Sequence, residues 1–498
     1  MMSASLRLGL FLSFTLLLCC QVSIAAQSNG CDGAGNCYVR AGAGGSGKGA
    51  DWTNAYTDLP SSLVRGVTYY VAAGSYGAHT YQDADSGATL ITIQAATAAV
   101  HGTATGWSNS YVGQATFQAG QMFYTDYYTF NGVYRANNRT PWVDWNNASG
   151  YGFAVNNAAG GGTRYFFTAV SFGNADQDSG IAVHNITFEY VDINGSHSTN
   201  SDVTDDWGIW SSGVISGTQN SNIYVGYVHV HNTGGNELNV DGNNGFIGEY
   251  SWFELMNQTN TAGKSHSEPI DFRGNGTNPT SNAIFRYNFV EGGGGTAFFA
   301  TTNGAGAATN WYIYGNFFFD NPSEELSPAP TSGNGILTTG YGYTSLTNLY
   351  FVNNTISSIN SGGACGVSPD TTATYTNYVV ENNLWYNCAQ YGGPVSNATT
   401  WNYNEYYDSS KHCSNDTSSN VVCSASDPFV NVADSAGADN FNLTGHTTAG
   451  VALSSSLPTG CSGNCLGTDM AGNTGTDRGA LQYGTAITPP TKLQAVVH

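Results

Sequence analysis

The chain repeats one short pattern, in which a turn residue is followed by alternating apolar and polar positions and then by a second turn residue. Copies begin at Asn185, Asn222, Gly245, Asn282, Asn310, Asn348 and Asn377. The second turn residues (Val191, Val228, Ser251, Asn288, Asn316, Asn354, Asn383) are 37, 23, 37, 28, 38 and 29 residues apart. Alternation with period two indicates strands, and no copy has the apolar spacing of a helix. A variable period of this size is typical of a solenoid, so the sequence predicts an all-β parallel β-helix whose stacked coils share one core.

The turn residues predict how the coils change direction. Asn288, Asn316, Asn354 and Asn383 are expected to stack as a ladder of side-chain amides. Asn tolerates the left-handed backbone conformation that a sharp corner requires, which gives this column a physical reason. The column ends before Ser251, Val228 and Val191, so we expect the corners of these earlier coils to be built differently.

Composition supports this fold and narrows the partners. The 498 residues include 64 Gly and 31 Tyr, and only 9% are charged. Apolar residues make up 40% of the chain, so the composition is not that of a disordered protein. The net charge is −21, and the chain has only four lysines, Lys48, Lys264, Lys411 and Lys492. This charge disfavours broad binding to nucleic acid or to anionic lipid. We also expect an acidic monomer with no membrane insertion.

The ends of the chain predict export. Residues 1–25 have the basic start, apolar run and small-residue cleavage signal of a secretory signal peptide. After it we expect an N-terminal cap at 26–66, a single-domain β-helix at 67–400, C-terminal coils with a cap at 401–484, and a linker or tail at 485–498. Outside the signal peptide, eight cysteines predict disulfides in an oxidising compartment rather than zinc sites, with these pairs: Cys31/Cys37, Cys365/Cys388, Cys413/Cys423 and Cys461/Cys465.

Both ends also resemble a known family. The entry contains Tyr38-Val-Arg-Ala-Gly-Ala and Tyr69-Tyr-Val-Ala-Ala-Gly-Ser-Tyr, and the exit contains Asp427-Pro-Phe-Val, Phe441-Asn-Leu, Asp469-Met-Ala-Gly-Asn and Asp477-Arg-Gly-Ala-Leu-Gln-Tyr. These segments resemble secreted right-handed parallel β-helix proteins of the pectate-lyase-like superfamily. The resemblance implies a right-handed β-helix over residues 38–484. It does not specify the activity, because members include lyases, hydrolases, epimerases and uncharacterised surface proteins.

The repeat also predicts which side chains share a face. Alternation places Val230, Phe253, Val290, Phe318, Ile356, Leu238, Ile270 and Ile336 in the core. It stacks four outward columns, which are Asp192/His229/Trp252/Phe289, His231/Glu254/Glu291/Phe319, Asn239/Asp271 and Asp241/Arg273. A chain with few charges thus gathers many of them on one predicted wall across three coils. The same stacked pairs could serve only as cross-strand stabilisers.

A polysaccharide lyase is the first function that this wall predicts. Lys264 or His266 would remove the proton beside a uronate carboxylate, with Asp271, Arg273 and Asp241 at the same centre. Arg273, Arg286 or a Ca²⁺ ion would neutralise the sugar carboxylate, and the ion would be held by Glu254, Glu268 and Glu291. Nearby carboxylates would raise the pKa of Lys264, which weakens it as a base.

Two alternatives remain open from the sequence. A glycoside hydrolase would use paired carboxylates, with Asp205 or Asp206 acting beside Asp241 or Asp271. A non-catalytic solenoid would bind extracellular glycan through the same surface. In each case the expected substrate contacts are Asp205, Asp206, Trp210, His231, Asn239, Trp252 and Arg286, where the aromatic rings would stack on sugars.

Overall fold

The structure is a computed structural model, and its strands wind in repeated coils. It describes residues 31–136, 144–156, 167–173, 181–195, 206–212, 219–233, 235–254, 268–274, 278–291, 298–320, 337–358, 366–369, 372–386, 395–407, 413, 416–424, 426–431, 440–451, 457, 469–470 and 475–482. One coil runs from strand Asn220–Gly226 through His229–His231 to Leu238–Asp241, and the next begins with Asn243–Glu249.

The strands stack into three parallel sheets, which we number by their order within a coil. Sheet 1 contains Asn36–Val39, Thr68–Val71, Ile91–Ala95, Tyr128–Asn131, His184–Glu189, Asn220–Gly226, Asn243–Glu249, Ala283–Arg286, Thr374–Glu381 and Thr400–Asn402. In the described part of the chain, sheet 2 has 12 strands, which are Gly74–Tyr76, Ala115–Gln118, Phe153–Asn156, Val191–Asn194, His229–His231, Trp252–Glu254, Phe289–Glu291, Phe317–Asp320, Thr355–Ser358, Leu384–Tyr386, Glu405–Tyr407 and Val422–Ser424.

Sheet 3 contains Thr80–Tyr81, Gln121–Phe123, Phe167–Phe172, Asp206–Ser212, Leu238–Asp241, Ile270–Gly274 and Val367–Pro369. Two long strands, Phe298–Tyr314 and Leu337–Val352, run through both sheet 3 and sheet 1. Phe429–Asn431 and Asn440–Leu443 form a separate antiparallel pair, and Asn109–Tyr111 and Ala148–Gly150 are short 3-10 helices. The predicted all-β parallel β-helix is therefore confirmed. No helix able to span a membrane is found in the described part of the chain.

The core follows the predicted alternation at the described positions. Val230, Phe253, Val290, Phe318 and Ile356 are fully buried inside the coils, as are Leu238 and Ile270. On the following coils Ile270 pairs with Phe298, and Phe298 pairs with Leu337, which are also fully buried. Ile336 lies outside the described residues, so its place in the core stays a prediction.

The predicted Asn ladder forms at the corner between sheets 1 and 2, but its backbone conformation differs from the prediction. Asn316 Oδ1 accepts hydrogen bonds from Asn288 N at 3.0 Å and from Asn288 Nδ2 at 3.1 Å. Asn354 Oδ1 accepts the corresponding two bonds from Asn316. The left-handed residue is the preceding one, such as Tyr287 with φ 57° or Asn353 with φ 52°. The column does not lapse at Ser251, whose Oγ accepts from Val228 N at 3.1 Å. The short hydroxyl thus replaces an amide as the acceptor.

The N-terminal end of the solenoid is covered. Strand Asn36–Val39 is the first rung of sheet 1, and its free edge bonds to residues 49–56 through Tyr38 N to Gly49 O and Tyr56 N to Tyr38 O. The predicted disulfides Cys31–Cys37 and Cys413–Cys423 are present. The pairs Cys365/Cys388 and Cys461/Cys465 lie outside the described residues. The signal peptide and the C-terminal tail also lie outside them.

Candidate functional site

The predicted stacking is correct, but the predicted wall divides into two faces. His231, Glu254 and Glu291 follow one another in register on sheet 2. Asn239 pairs with Asp271, and Asp241 pairs with Arg273, on sheet 3. The connection after His231 turns the chain through a corner, so the two groups occupy adjacent sheets rather than one. We call the group of Asn239, Asp241, Asp271 and Arg273 the sheet 3 cluster, and the group of Asp192, His229, His231 and Glu254 the sheet 2 cluster.

The sheet 3 cluster is an ionic site that solvent scarcely reaches. Asp271 is fully buried, and its Oδ2 lies 3.4 Å from Arg273 Nε and 3.5 Å from Asn239 Nδ2. Asp241 is only 9% exposed and lies opposite Arg273 on the preceding coil. Burial raises the pKa of Asp241 to about 6, although the Arg273 charge opposes the shift. A carboxyl group with this pKa changes its protonation state close to neutral pH, as a group that transfers protons must.

Several buried oxygens on sheet 3 and in the connection that enters it lack hydrogen-bond donors among the described residues. Asn239 Oδ1 and Asp241 Oδ1 have none among the described residues, and the same is true of Thr168 Oγ1 on sheet 3 and Asn236 Oδ1 in the connection that enters it. An unsatisfied buried polar atom costs roughly 1–3 kcal/mol, so native proteins seldom retain several together. Ligand hydroxyl groups or ordered water would supply the missing donors. This feature cannot be read from the sequence, because it depends on what surrounds each atom.

Trp210 extends the same outward column by one coil. It pairs with Asn239 in register, and its ring lies 4.2 Å from that of Trp207. Both indoles are buried, at 1% and 3% exposure. The predicted contact residue Trp210 therefore adjoins the sheet 3 cluster.

The sheet 2 cluster is a chain of charges across three coils. His229 Nδ1 lies 2.7 Å from Asp192 Oδ1, and His229 Nε2 lies 2.7 Å from Glu254 Oε2. Burial by itself lowers the pKa of His229, but its hydrogen bonds to the two carboxylates prevail and raise it to about 9. Burial tends to raise the pKa of Asp192, but its bonds to His229 and His231 bring it below the usual value. His229 is consequently an imidazolium at neutral pH.

This cluster has the composition but not the geometry of a metal centre. Ligand atoms of Asp192, His229 and His231 lie within 4.8 Å of one another, the only such group in the described part of the chain. The two imidazole rings stack 4.3 Å apart with planes inclined by 7°. Parallel stacked rings direct their in-plane lone pairs along parallel lines, so they cannot converge on one ion. We therefore assign no metal ligand here.

The predicted calcium ligands are not brought together as a donor group. Glu254 Oε2 is bonded to His229, and Glu291 Oε2 accepts from Trp252 Nε1 at 3.1 Å. Glu268 precedes strand Ile270–Gly274 of sheet 3, and its main-chain oxygen accepts from Asn236 Nδ2. Among the described residues, the three carboxylates therefore do not form a shared site for Ca²⁺. Calcium binding stays a prediction.

The other predicted residues are dispersed. Arg286 lies on sheet 1, where its Nε donates to Glu249 Oε2 at 2.6 Å. Trp252 is 3% exposed and stacks on Phe289 at 4.6 Å, so its ring is engaged in packing. Asp206 begins a sheet 3 strand. Lys264, His266 and Asp205 lie outside the described residues, so their roles stay predictions.

Comparison with known proteins gives a structural likeness but no sequence match. No family profile matches the chain, and no curated protein matches its sequence. Among solved structures, it is similar to "Crystal structure of pectate lyase Pel9A", with 14% identity and a TM-score of 0.49. The match covers 90% of this chain and 96% of that one. We draw no inference about activity from this likeness.

Proposed function

We propose that this protein is an extracellular polysaccharide lyase that binds a uronate-containing glycan against the outer face of sheet 3. The observation that carries the proposal is that two buried oxygens, Asn239 Oδ1 and Asp241 Oδ1, lack donors among the described residues on the strand that pairs with the Arg273 strand. Sugar hydroxyl groups are donors of the required kind, and a guanidinium is suited to a sugar carboxylate. The two disulfides agree with an extracellular location.

In the proposed β-elimination, Arg273, Asp271 and Asp241 each have a distinct part. Arg273, held by Asp271, would pair with the uronate carboxylate and stabilise the charge that develops there. Asp241, ionised above its pKa of about 6, would accept the proton from the carbon beside that carboxylate. The C–H electron pair becomes the new C=C bond, the glycosidic C–O bond breaks, and the departing oxygen takes a proton from Asp241 or water. Lys264 and His266 are further candidates for the base.

The product distinguishes this reaction from hydrolysis. The protein is incubated with a panel of uronate-containing and neutral polysaccharides, and ultraviolet absorbance of unsaturated uronate is recorded together with new reducing ends. We expect both signals from a uronate glycan, and we expect Asp241→Asn and Arg273→Gln to remove them. Glu381→Gln, which changes a carboxylate on sheet 1, is the matched control and should retain activity. Binding without either signal would contradict catalysis and support a non-catalytic glycan-binding solenoid.

Hydrolysis is the second candidate, and it is favoured by the carboxylates of Asp241 and Asp271, which lie on adjacent coils. Asp241 has the raised pKa of a general acid, and Asp271 is ion-paired with Arg273. A hydrolase would need protonated Asp241, so its activity would fall as the pH rises through about 6. The lyase needs ionised Asp241, so its activity would rise over the same interval. Reducing ends without unsaturated uronate would replace the lyase by the hydrolase.

A further inference from the structure

Three buried polar side chains line the corner between sheets 3 and 1, on the coils that carry the sheet 3 cluster. Asn220 pairs with Asn243, and the bridge between Asn244 and Ser281 places Asn243 opposite Thr280. The side chains of Asn220, Asn243 and Thr280 are fully buried, and we call them the corner column. Asn243 follows the end of its sheet 3 strand by two residues, so the column lies where sheet 3 gives way to sheet 1.

The neighbouring coils close the same corner with apolar residues. Counted along the paired strands, the position holds Val183 on the preceding coil and Ala308 and Leu346 on the two following coils, all of them buried. The winding can therefore be built without a polar residue here. Burying a polar group has a desolvation cost, which its hydrogen bonds only partly offset. The polar residues on these coils thus indicate a role beyond filling the core.

The corner column bonds to the main chain of the sheet 3 cluster. Thr280 Oγ1 lies 2.6 Å from Arg273 O and 3.0 Å from Val240 O, so its hydroxyl group donates to this pair of carbonyls. Asn243 Nδ2 donates to Asp241 O at 3.0 Å. Asn243 N donates to Thr280 Oγ1 at 3.3 Å, which joins the two residues. One connected network therefore holds the carbonyl groups of both Asp241 and Arg273.

Buried groups on both sides fix the members of this network. Asn243 Nδ2 also donates to Ser211 O at 2.9 Å, and Asn243 Oδ1 accepts from Ser211 Oγ at 2.6 Å. Ser211 Oγ accepts in turn from Asn220 Nδ2 at 3.1 Å. On the other side, Trp311 Nε1 donates to Thr280 O at 2.8 Å. The amide of Asn243 therefore cannot turn without breaking buried hydrogen bonds, and the main chain of Thr280 is fixed as well.

We propose that Thr280 and Asn243 are positioning residues that set the placement of Arg273 and Asp241 for the reaction at the sheet 3 cluster. The inference rests on the proposed function, because the corner column itself supplies no reacting group. Arg273 and Asp241 lie opposite each other on adjacent coils. A rotation of either strand end therefore changes the separation of the guanidinium and the carboxylate. A reacting group displaced by about 1 Å can lose roughly a hundredfold in rate.

The charge of Arg273 provides a readout that does not require turnover. Burial raises the pKa of Asp241 to about 6, and Arg273 opposes this shift. Among the described residues, the other titratable groups that act on this pair are Asp271, which is ion-paired with Arg273, and Tyr343. Burial raises the pKa of Tyr343 well above its ordinary value, so Tyr343 is neutral. If the loss of a corner bond moves Arg273 away from Asp241, the pKa of Asp241 should rise above about 6.

Thr280→Val tests the proposal in the full-length protein, because it removes the hydroxyl group and keeps the shape of the side chain. On a uronate glycan its kcat should fall by roughly ten- to a hundredfold, and Thr280→Ser, which keeps the hydroxyl group, should restore most of it. In parallel, the unfolding free energy of each protein is measured against pH with and without Asp241→Asn. The difference gives the folded pKa of Asp241, which should rise in Thr280→Val and not in Thr280→Ser. Asn316→Ala, which breaks buried bonds at the opposite corner, is the matched control and should change neither kcat nor this pKa.

The outcomes separate a positioning role from a structural one. If Thr280→Val loses stability but keeps the wild-type kcat and the wild-type pKa of Asp241, the corner column only supports the fold and the proposal is wrong. A loss of activity that Thr280→Ser does not restore would also overturn it. If Thr280→Val does not fold, Ser211→Ala takes its place with the same expected changes, because it removes the hydroxyl donor to Asn243 Oδ1. If the wild type releases no product, the proposed lyase is refuted instead, and the pKa comparison still decides whether the column places Arg273 beside Asp241.

Discussion

Asp241 should reduce the stability of the protein at neutral pH, so replacing it with Asn should make the fold more stable while abolishing activity. Asp241 is 9% exposed, and its Oδ1 has no hydrogen-bond partner among the described residues. Its pKa rises from 3.8 to about 6 on folding. The folded state therefore holds this proton more tightly than the unfolded chain does, and stability falls as the pH rises from 3.8 to about 6.

The magnitude follows from the difference between the two pKa values. Two pKa units correspond to about 3 kcal/mol of unfolding free energy, lost between the unfolded and the folded pKa. Asp241→Asn cannot titrate, so the difference in unfolding free energy between variant and wild type should move in favour of the variant by about 3 kcal/mol across this interval. The cost of burying an amide is the same at both pH values and cancels in that comparison.

Urea unfolding at a pH below 3.8 and at one above 6 measures this change. Asp271→Asn is the matched control, because it removes the neighbouring carboxylate that pairs with Arg273. Breaking a buried ion pair costs roughly 3–5 kcal/mol, so this variant should be less stable than wild type at neutral pH. A difference between Asp241→Asn and wild type that does not vary with pH would refute the assignment of Asp241 as a strained, buried acid.

Three further outcomes are expected. Turnover of a uronate glycan should rise as the pH passes through about 6, because only ionised Asp241 accepts the proton, and a falling profile would contradict elimination. Asn316→Ala should lower the unfolding free energy measured in urea by roughly 3–5 kcal/mol, because the buried N and Nδ2 donors of Asn288 lose their acceptor. The control Asn310→Gly removes an exposed bond to Asn282 Oδ1 and should cost under about 1 kcal/mol. Arg273→Gln should weaken binding of uronate oligosaccharides in calorimetry and leave neutral ones unaffected, and equal losses for both would assign Arg273 a structural role.

The sequence by itself determined the coil and most of its register. A repeating alternation of apolar and polar residues is a local signal, and parallel stacking of identical coils converts it into spatial order. For that reason Asn239 was correctly placed beside Asp271, and His229 beside Trp252, from spacing alone.

Only the tertiary structure determined the burial and the electrostatic environment of those side chains. His229 belongs to an outward column, yet it is only 2% exposed, and the ring of Tyr151 packs against its imidazole. The corner between sheets 2 and 3 divides the predicted wall, and nothing in the spacing of the repeat encodes that angle. The raised pKa of Asp241 and the oxygens that lack donors also arise from burial by distant parts of the chain. Periodicity fixes which residues are neighbours, whereas desolvation depends on everything that folds over them.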